Sequence, residues 1–347
     1  MTVTRRRTVR TRGGLSLRLD PRAALVTLLL MLVALTAAVA LVGTGDFPMS
    51  PADVLRTLAG GGTPAQEFVV EELRLPRALA GLLVGAALGL AGAVFQSVAR
   101  NPLGSPDVIG LAQGSTVGAL TVIVLFDGGP SAVAAGAAAG GLATGAAIYL
   151  LAWKKGVQGH RLALVGIGAA AVLTACYSYL LTRADLTDAT RATAWMVGSL
   201  GGRDWEQVWP LLGACALLGP LLLGRARDLT MLEMGDDAAS ALGVRVERTR
   251  LVALTAAVLL AAAATATAGP VAFVALAAPQ LARRLTGAPG PNLPAAACMG
   301  AALLVTADWA AQRLLGADKL PVGALTGMAG GCYLLWLLHV QRRTGRL

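Results

Sequence analysis

Charge is scarce in this 347-residue chain. Asp, Glu, Lys and Arg together make 14% of it, where a soluble domain carries about 25%. Aromatic rings make 4%, and there are two histidines and four cysteines. So few rings, with no nucleic-acid fold signature, mean that the net charge of +10 does not point to nucleic acid. Cys176, Cys215, Cys298 and Cys332 stand singly in apolar runs. Without C-x-x-C spacing they indicate neither zinc nor a redox pair, and they are expected to pack as small hydrophobes. No GxxxxGK[ST] loop occurs, so the chain does not hold ATP in that way. HExxH, GxSxG and paired intramembrane acids are missing too, which leaves no catalytic residue and no metal site to name.

What the sequence has in quantity is apolar length. Hydrophobic residues are 56% of the chain, in runs of about twenty, the length of helix that crosses a bilayer core. We read an all-α polytopic membrane protein of about ten transmembrane helices, near 23–42, 78–99, 108–126, 131–153, 162–182, 210–223, 251–268, 271–282, 295–312 and 321–339. The eighth and ninth are short or proline-bearing runs, and a short run with a proline is consistent with a re-entrant helix. Residues 1–22 form a basic tail, expected to be disordered and held near anionic headgroups, and residues 341–347 a second basic tail. Residues 23–340 make one membrane domain. The first run is too long for a signal-peptide core and no clear cleavage site follows it, so it is kept as a helix. With these spans, 21 of the 29 Lys and Arg fall on one side and 8 on the other. Positive charge favours the cytoplasm, so both termini are expected there.

The most informative stretch runs from Arg74 to Ala119. Arg74-Leu75-Pro76-Arg77 opens it, and an uncharged run follows from Ala78 to Ala99. Gly81, Gly85 and Gly89 recur every four residues there, which aligns them on one helix face where another backbone can come close. Arg100 and the turn Asn101-Pro102-Leu103-Gly104-Ser105-Pro106-Asp107 form an elbow before the next run. R-[LI]-P-R, a glycine-rich helix with Gln96 near its end, and N-P-L-[AG]-x-P-x-x-[LI]-G occur here in order over about forty residues. This pattern resembles the FecCD-type permeases, the membrane subunits of bacterial ATP-driven importers for iron–siderophores, haem and cobalamin.

The resemblance implies a multi-pass permease of the bacterial cell membrane with no cofactor of its own. ATP and magnesium would sit on a separate ATP-binding subunit. The segment from Gly235 through Asp236, Asp237 and Ala238 to Leu242 and Gly243 is similar to the family's coupling segment, which docks on that ATPase. Its acids suit a helix N-terminus, and Gly243 suits the position just past a helix end. Arg74 and Arg77 match arginines that receive acidic residues of an extracytoplasmic binding protein, by bidentate guanidinium–carboxylate pairs. A third family arginine lies four residues after an Asp. Here Gln312 has that spacing from Asp308 and Arg313 comes one later, turned by about 100°. Asn101, Pro102 and Leu103 match one half of the cytoplasmic gate; Gly159 and His160 fall at the other half by position. The stretch Trp195 to Gly202 follows the family's W-x-x-G-[SG]-x-x-G.

The last third departs from the family pattern. Pro279-Gln280 stands for Pro-His, Lys319 for Glu, and Cys332 for a proline. These changes favour pairing with a related second permease subunit over a homodimer. The cargo expected is a ferric siderophore, with haem or cobalamin as the alternative. A self-contained ion-coupled transporter would need charged residues at the bilayer midplane, and helices 1 to 7 have almost none.

Overall fold

The computed structural model describes residues 7–10, 16–107, 109–153, 159–314 and 320–343. Among the described residues the regular structure is helical apart from one short hairpin. Strands β1 (Arg7–Arg10) and β2 (Ser16–Leu19) pair antiparallel with Val9 opposite Leu17. That ordered pairing replaces the expected unstructured tail for these residues. Helix α1 (Pro21–Gly43) follows, with Asp20 at its cap and proline at its first position, a start that removes one unsatisfied N–H.

Helix α2 (Pro51–Arg56) begins at a serine cap, with the Ser50 hydroxyl accepting from Asp53 N–H. It runs on as a wide turn to Gly61 and breaks at Gly60, φ +80°. A capping box of Thr63 and Gln66 then starts α3 (Pro64–Glu67). A π-helical segment (Phe68–Arg74) joins α3 to α4 (Leu75–Ala99), giving 36 helical residues from Pro64 to Ala99. The expected helix starts only at residue 78. Glu67, Glu71, Glu72, Arg74 and Arg77 end the apolar stretch but do not end the helix, because charges outside a bilayer do not disfavour helical backbone.

The elbow leads to α5 (Leu111–Phe126), which begins three residues later than predicted because Gly110 adopts φ +90°. Next come α6 (Pro130–Ala152) and α7 (Gly159–Arg183). The stretch after α7 holds a helix the sequence reading does not predict, α8 (Leu186–Val197), capped by Asp185. Helix α9 (Trp205–Gly224) starts five residues before its expected Pro210, because Asp204 and Gln207 form a capping box. Two short helices, α10 (Ala226–Leu232) and α11 (Asp236–Ala241), precede α12 (Val246–Ala268). The chain ends with α13 (Val274–Thr286), α14 (Leu293–Leu314) and α15 (Val322–Arg343).

Among the described residues, seven helices are long and apolar enough to cross a membrane: α1, the α3–α4 unit, α6, α7, α9, α12 and α14. Helix α5 and the Val322–Trp336 part of α15 are shorter apolar helices. Helix α13 has 13 residues, about 20 Å at 1.5 Å each, and cannot cross a core of about 30 Å. The non-helical residues before it are covered by protein: Gly269 and Val271 are buried, and the Phe273 ring lies over Gly330 of α15. Irregular backbone is tolerated at membrane depth only under such cover.

Helix α4 is the hub. Gly85 and Gly89 face α14, where a Cβ would stand 2.4 Å from the Gly300 carbonyl oxygen and 2.2 Å from that of Ala296. Glycine there lets the two backbones touch, as the four-residue spacing predicts. Leu88, Leu90, Val94 and Phe95 fill the main core together with Leu260 and Leu304.

Candidate functional site

Helix α4 stops at Arg100, whose φ of +50° turns the chain into the elbow. The Asn101 side-chain oxygen accepts from Leu103 N–H at 2.9 Å, a local turn typical of asparagine. Asn101, Pro102 and Leu103 are all exposed, at the end of α4 away from Arg74. The far side of the elbow rests on α7: Ile109 packs on Gly166, and Gly110 lies against Ala170. Gly159 and His160 open α7, so the two segments expected to form a gate share one end of the helix array. The side chains of Gly159 and His160 lie outside the described residues.

The loop from α10 to α11 meets this same end. Gly235, at φ +113°, precedes α11, and Gly243, at φ +85°, follows it. Asp236 and Asp237 occupy its first turn, as the charge pattern predicts. Asp236 accepts from Arg100 at 2.5 Å and from Arg250 of α12 at 2.9 Å. Arg250 also donates to Glu247 at 2.9 Å and is itself buried. Just before the loop's glycine, Glu233 accepts from the Ser97 hydroxyl of α4 and from Arg283 of α13, each at 2.6 Å. Two acids therefore bind the loop to α4, α12 and α13. Met234, Asp237, Ala241, Leu242 and Gly243 point outward. A helix this thin, with exposed apolar side chains beside it, has the shape of a knob.

Two glutamines reinforce the elbow. Gln96 of α4 donates to the Leu276 carbonyl of α13 at 3.0 Å, and Gln280 of α13 donates to the Pro102 carbonyl at 2.7 Å. Of this network, the sequence singles out the elbow, the loop, Gln96 as part of the family pattern and Gln280 as a departure from it. The roles of Ser97, Glu233 and Arg283, and the partner of Gln280, escape it, because the bonded residues lie up to 186 positions apart; Arg250 escapes it too. Arg283 in particular reads as one more positive charge near a membrane end.

At the opposite end, Arg74 reaches across to α1. Its two terminal nitrogens donate to the Val42 and Phe47 carbonyls, each at 2.8 Å. Arg77 makes a two-point pair with Asp308 of α14 at 2.8 and 2.7 Å. The Asp308 side chain is 1% exposed, that of Arg77 21%. Gln312 closes the cluster: with its amide oxygen turned toward the guanidinium, it accepts from Arg77 at 3.1 Å. Arg313 is exposed and lies over the Trp309 ring. The one-residue offset thus puts Gln312 inward and Arg313 outward. Among the described residues, no cluster of His, Cys, Asp and Glu has the shape to hold a metal ion.

Comparison with known proteins gives a consistent answer. The model of the FecCD transport family matches residues 26–340. The chain is 44% identical over 330 residues to the ferric enterobactin transport system permease protein FepG of Escherichia coli K12, covering 93% of this chain and 98% of that protein. It is 37% identical over 322 residues to the iron(3+)-hydroxamate import system permease protein FhuG of Bacillus subtilis 168, covering 90% and 95%. A solved structure described as an inward-facing conformation of a metal-chelate type ABC transporter superposes with a TM-score of 0.80 at 27% identity. It covers 91% of this chain and 99% of that one.

Proposed function

This chain belongs to the FecCD transport family, and from that premise we propose that it is the permease subunit of an ATP-driven importer that moves a ferric siderophore into the cytoplasm. The observation that carries the cargo class is the 44% identity, nearly end to end, to a ferric enterobactin permease. In this reading the elbow end is cytoplasmic, in line with the excess of Lys and Arg there. A separate ATPase grips the α11 knob. Its closure moves the loop, and the loop moves the ends of α4, α12 and α13 through Glu233 and Asp236. The elbow at Asn101–Leu103 then opens or closes the pathway as the two access states exchange. A second, related permease subunit completes the pathway.

The outer arginines receive the cargo's binding protein. Arg313 offers an exposed cation. Arg74 and Arg77 spend donors inside the chain, so they shape the surface as well as presenting charge. Among the described residues nothing accepts from Arg77 Nη1, which leaves that donor for an outside carboxylate.

Reconstitution with the ATPase, the second permease and candidate binding proteins tests this. Each binding protein is loaded with catecholate, hydroxamate or citrate iron chelate, or with haem. ATP-dependent uptake of one ferric chelate is the expected result. Uptake driven by an ion gradient without the ATPase would overturn the proposal, and uptake of haem alone would replace the cargo.

A further inference from the structure

Helices α4 and α13 meet in an unusual joint. Pro279 has no N–H, so the Ala275 carbonyl lacks its helical donor. That carbonyl faces Gly92 of α4, where a Cβ would stand 1.8 Å from its oxygen. Next to this contact the two glutamine bonds run in opposite directions, Gln96 to α13 and Gln280 to the elbow. Both glutamines are buried. The Tyr333 hydroxyl of α15 donates to Gln280 Oε1 at 3.4 Å, which fixes the way the amide is turned. Below them, Glu233 holds Ser97 and Arg283. Between the two layers lies a chamber of about 170 Å³, lined by Gln96, Arg100, Asn101, Pro102, Glu233 and Arg283. The elbow side of the joint is thus held by hydrogen bonds around a space rather than by side-chain packing.

Apart from the short Glu233–Ser97 bond to the last turn of α4, the loop has two routes to the elbow. One is the Arg100–Asp236 pair, with side chains 42% and 45% exposed; such a pair is screened by water and salt. The other runs from Glu233 to Arg283, with side chains 23% and 31% exposed, along α13, and from Gln280 to the Pro102 carbonyl. The second is better shielded, and its last bond is neutral, short and part-buried.

We infer that Gln280 is the positioning residue of the cytoplasmic gate: it carries the movement of α13 onto Pro102 and so sets where Asn101–Leu103 stand. This rests on the proposal that the elbow is the gate and the α10–α11 loop the coupling segment. Losing one well-placed bond changes a two-state balance by about tenfold, enough to separate ATP use from transport.

The test compares Gln280→Leu, which keeps the volume, with Gln280→His, which keeps an N–H donor. Two quantities are read: ATP hydrolysed per chelate taken up, and the distance between spin labels at the exposed Leu103 and Leu285. In the wild type the label distance is single and narrow, with and without ATP. Gln280→Leu broadens it and raises ATP use per chelate about tenfold; Gln280→His restores both. An unchanged ratio with a narrow distance in Gln280→Leu, or uptake and hydrolysis falling in proportion, would overturn the inference. Should the wild type take up no chelate with ATP, the importer reading fails. The label distance in the permease alone still decides whether Gln280 holds the elbow.

Discussion

Helices α4 and α7 are both long and apolar, yet they live in different surroundings. Of the most apolar stretch of the α3–α4 unit, 78% is buried within the chain; for α7 the share is 6%. The glycines show the same contrast. Gly92 touches another backbone, while a Cβ on Gly168 of α7 would meet nothing. Helix α4 is therefore completed by its own chain. Helix α7 exposes Leu164, Ile167, Val172 and Tyr179 and must be completed by lipid or by another protein. Apolar length says that a helix is buried in something, and only packing says in what. The largest effect that tests this contrast is Gly92→Ala. One methyl forced against the Ala275 carbonyl should cost on the order of 3–5 kcal/mol, seen as loss of monodisperse protein in detergent. Normal yield and melting would break the comparison at its centre.

The Arg77–Asp308 pair sharpens the contrast at the other end of the hub. It ties α4 to α14 across 231 residues of sequence, with the acid fully buried. Asp308→Asn should destabilise by about 3 kcal/mol, because a partly buried guanidinium loses its counter-charge. A double-mutant cycle with Arg77→Gln should give a coupling of about 2 kcal/mol. A coupling near zero would return Arg77 to the surface as a purely docking residue.

Asp107, in the elbow, comes next in size. Among the described residues its Oδ2, sealed from solvent, has no hydrogen-bond partner, and burial pushes its pKa from the usual 3.8 up to about 7. The folded chain keeps a proton that the unfolded chain releases, so stability falls as pH rises from 3.8 to about 7 and then levels off. Asp107→Asn should therefore stabilise by about 2 kcal/mol at pH 8 and by much less at pH 5, as measured by thermal unfolding at the two values. An equal gain at both would mean that the carboxyl is ionised in the fold.

Much of this was legible in the sequence, and the reasons are physical. The elbow, the α11 start at Asp236 and the Gly85–Gly89 face depend on local rules of turns, caps and spacing, which act over a few residues. The Gln312–Arg313 offset was legible too, since one residue rotates a helix by about 100°. The early start of α4 and the existence of α8 were not. Both lie where charged residues interrupt the apolar runs, and hydropathy reports the membrane rather than the helix. The network of Ser97, Glu233, Gln280 and Arg283 was hidden for another reason. Its bonds join residues brought together only by the fold.

The smallest effect on the chain itself is expected at Gly168. A Cβ there has nothing within 4 Å, so Gly168→Leu should leave the melting of the isolated subunit within about 0.5 kcal/mol, and the gain in helix propensity acts in its favour. Assembly should behave differently. A bare glycine on an apolar, exposed helix allows close approach by another backbone, and a leucine would hold it off. If α7 packs on the second permease subunit, Gly168→Leu should weaken co-purification of the pair at least about tenfold, with the monomer's stability intact. Loss of both together would mean that α7 is held by its own chain after all. Loss of neither would assign this face to lipid.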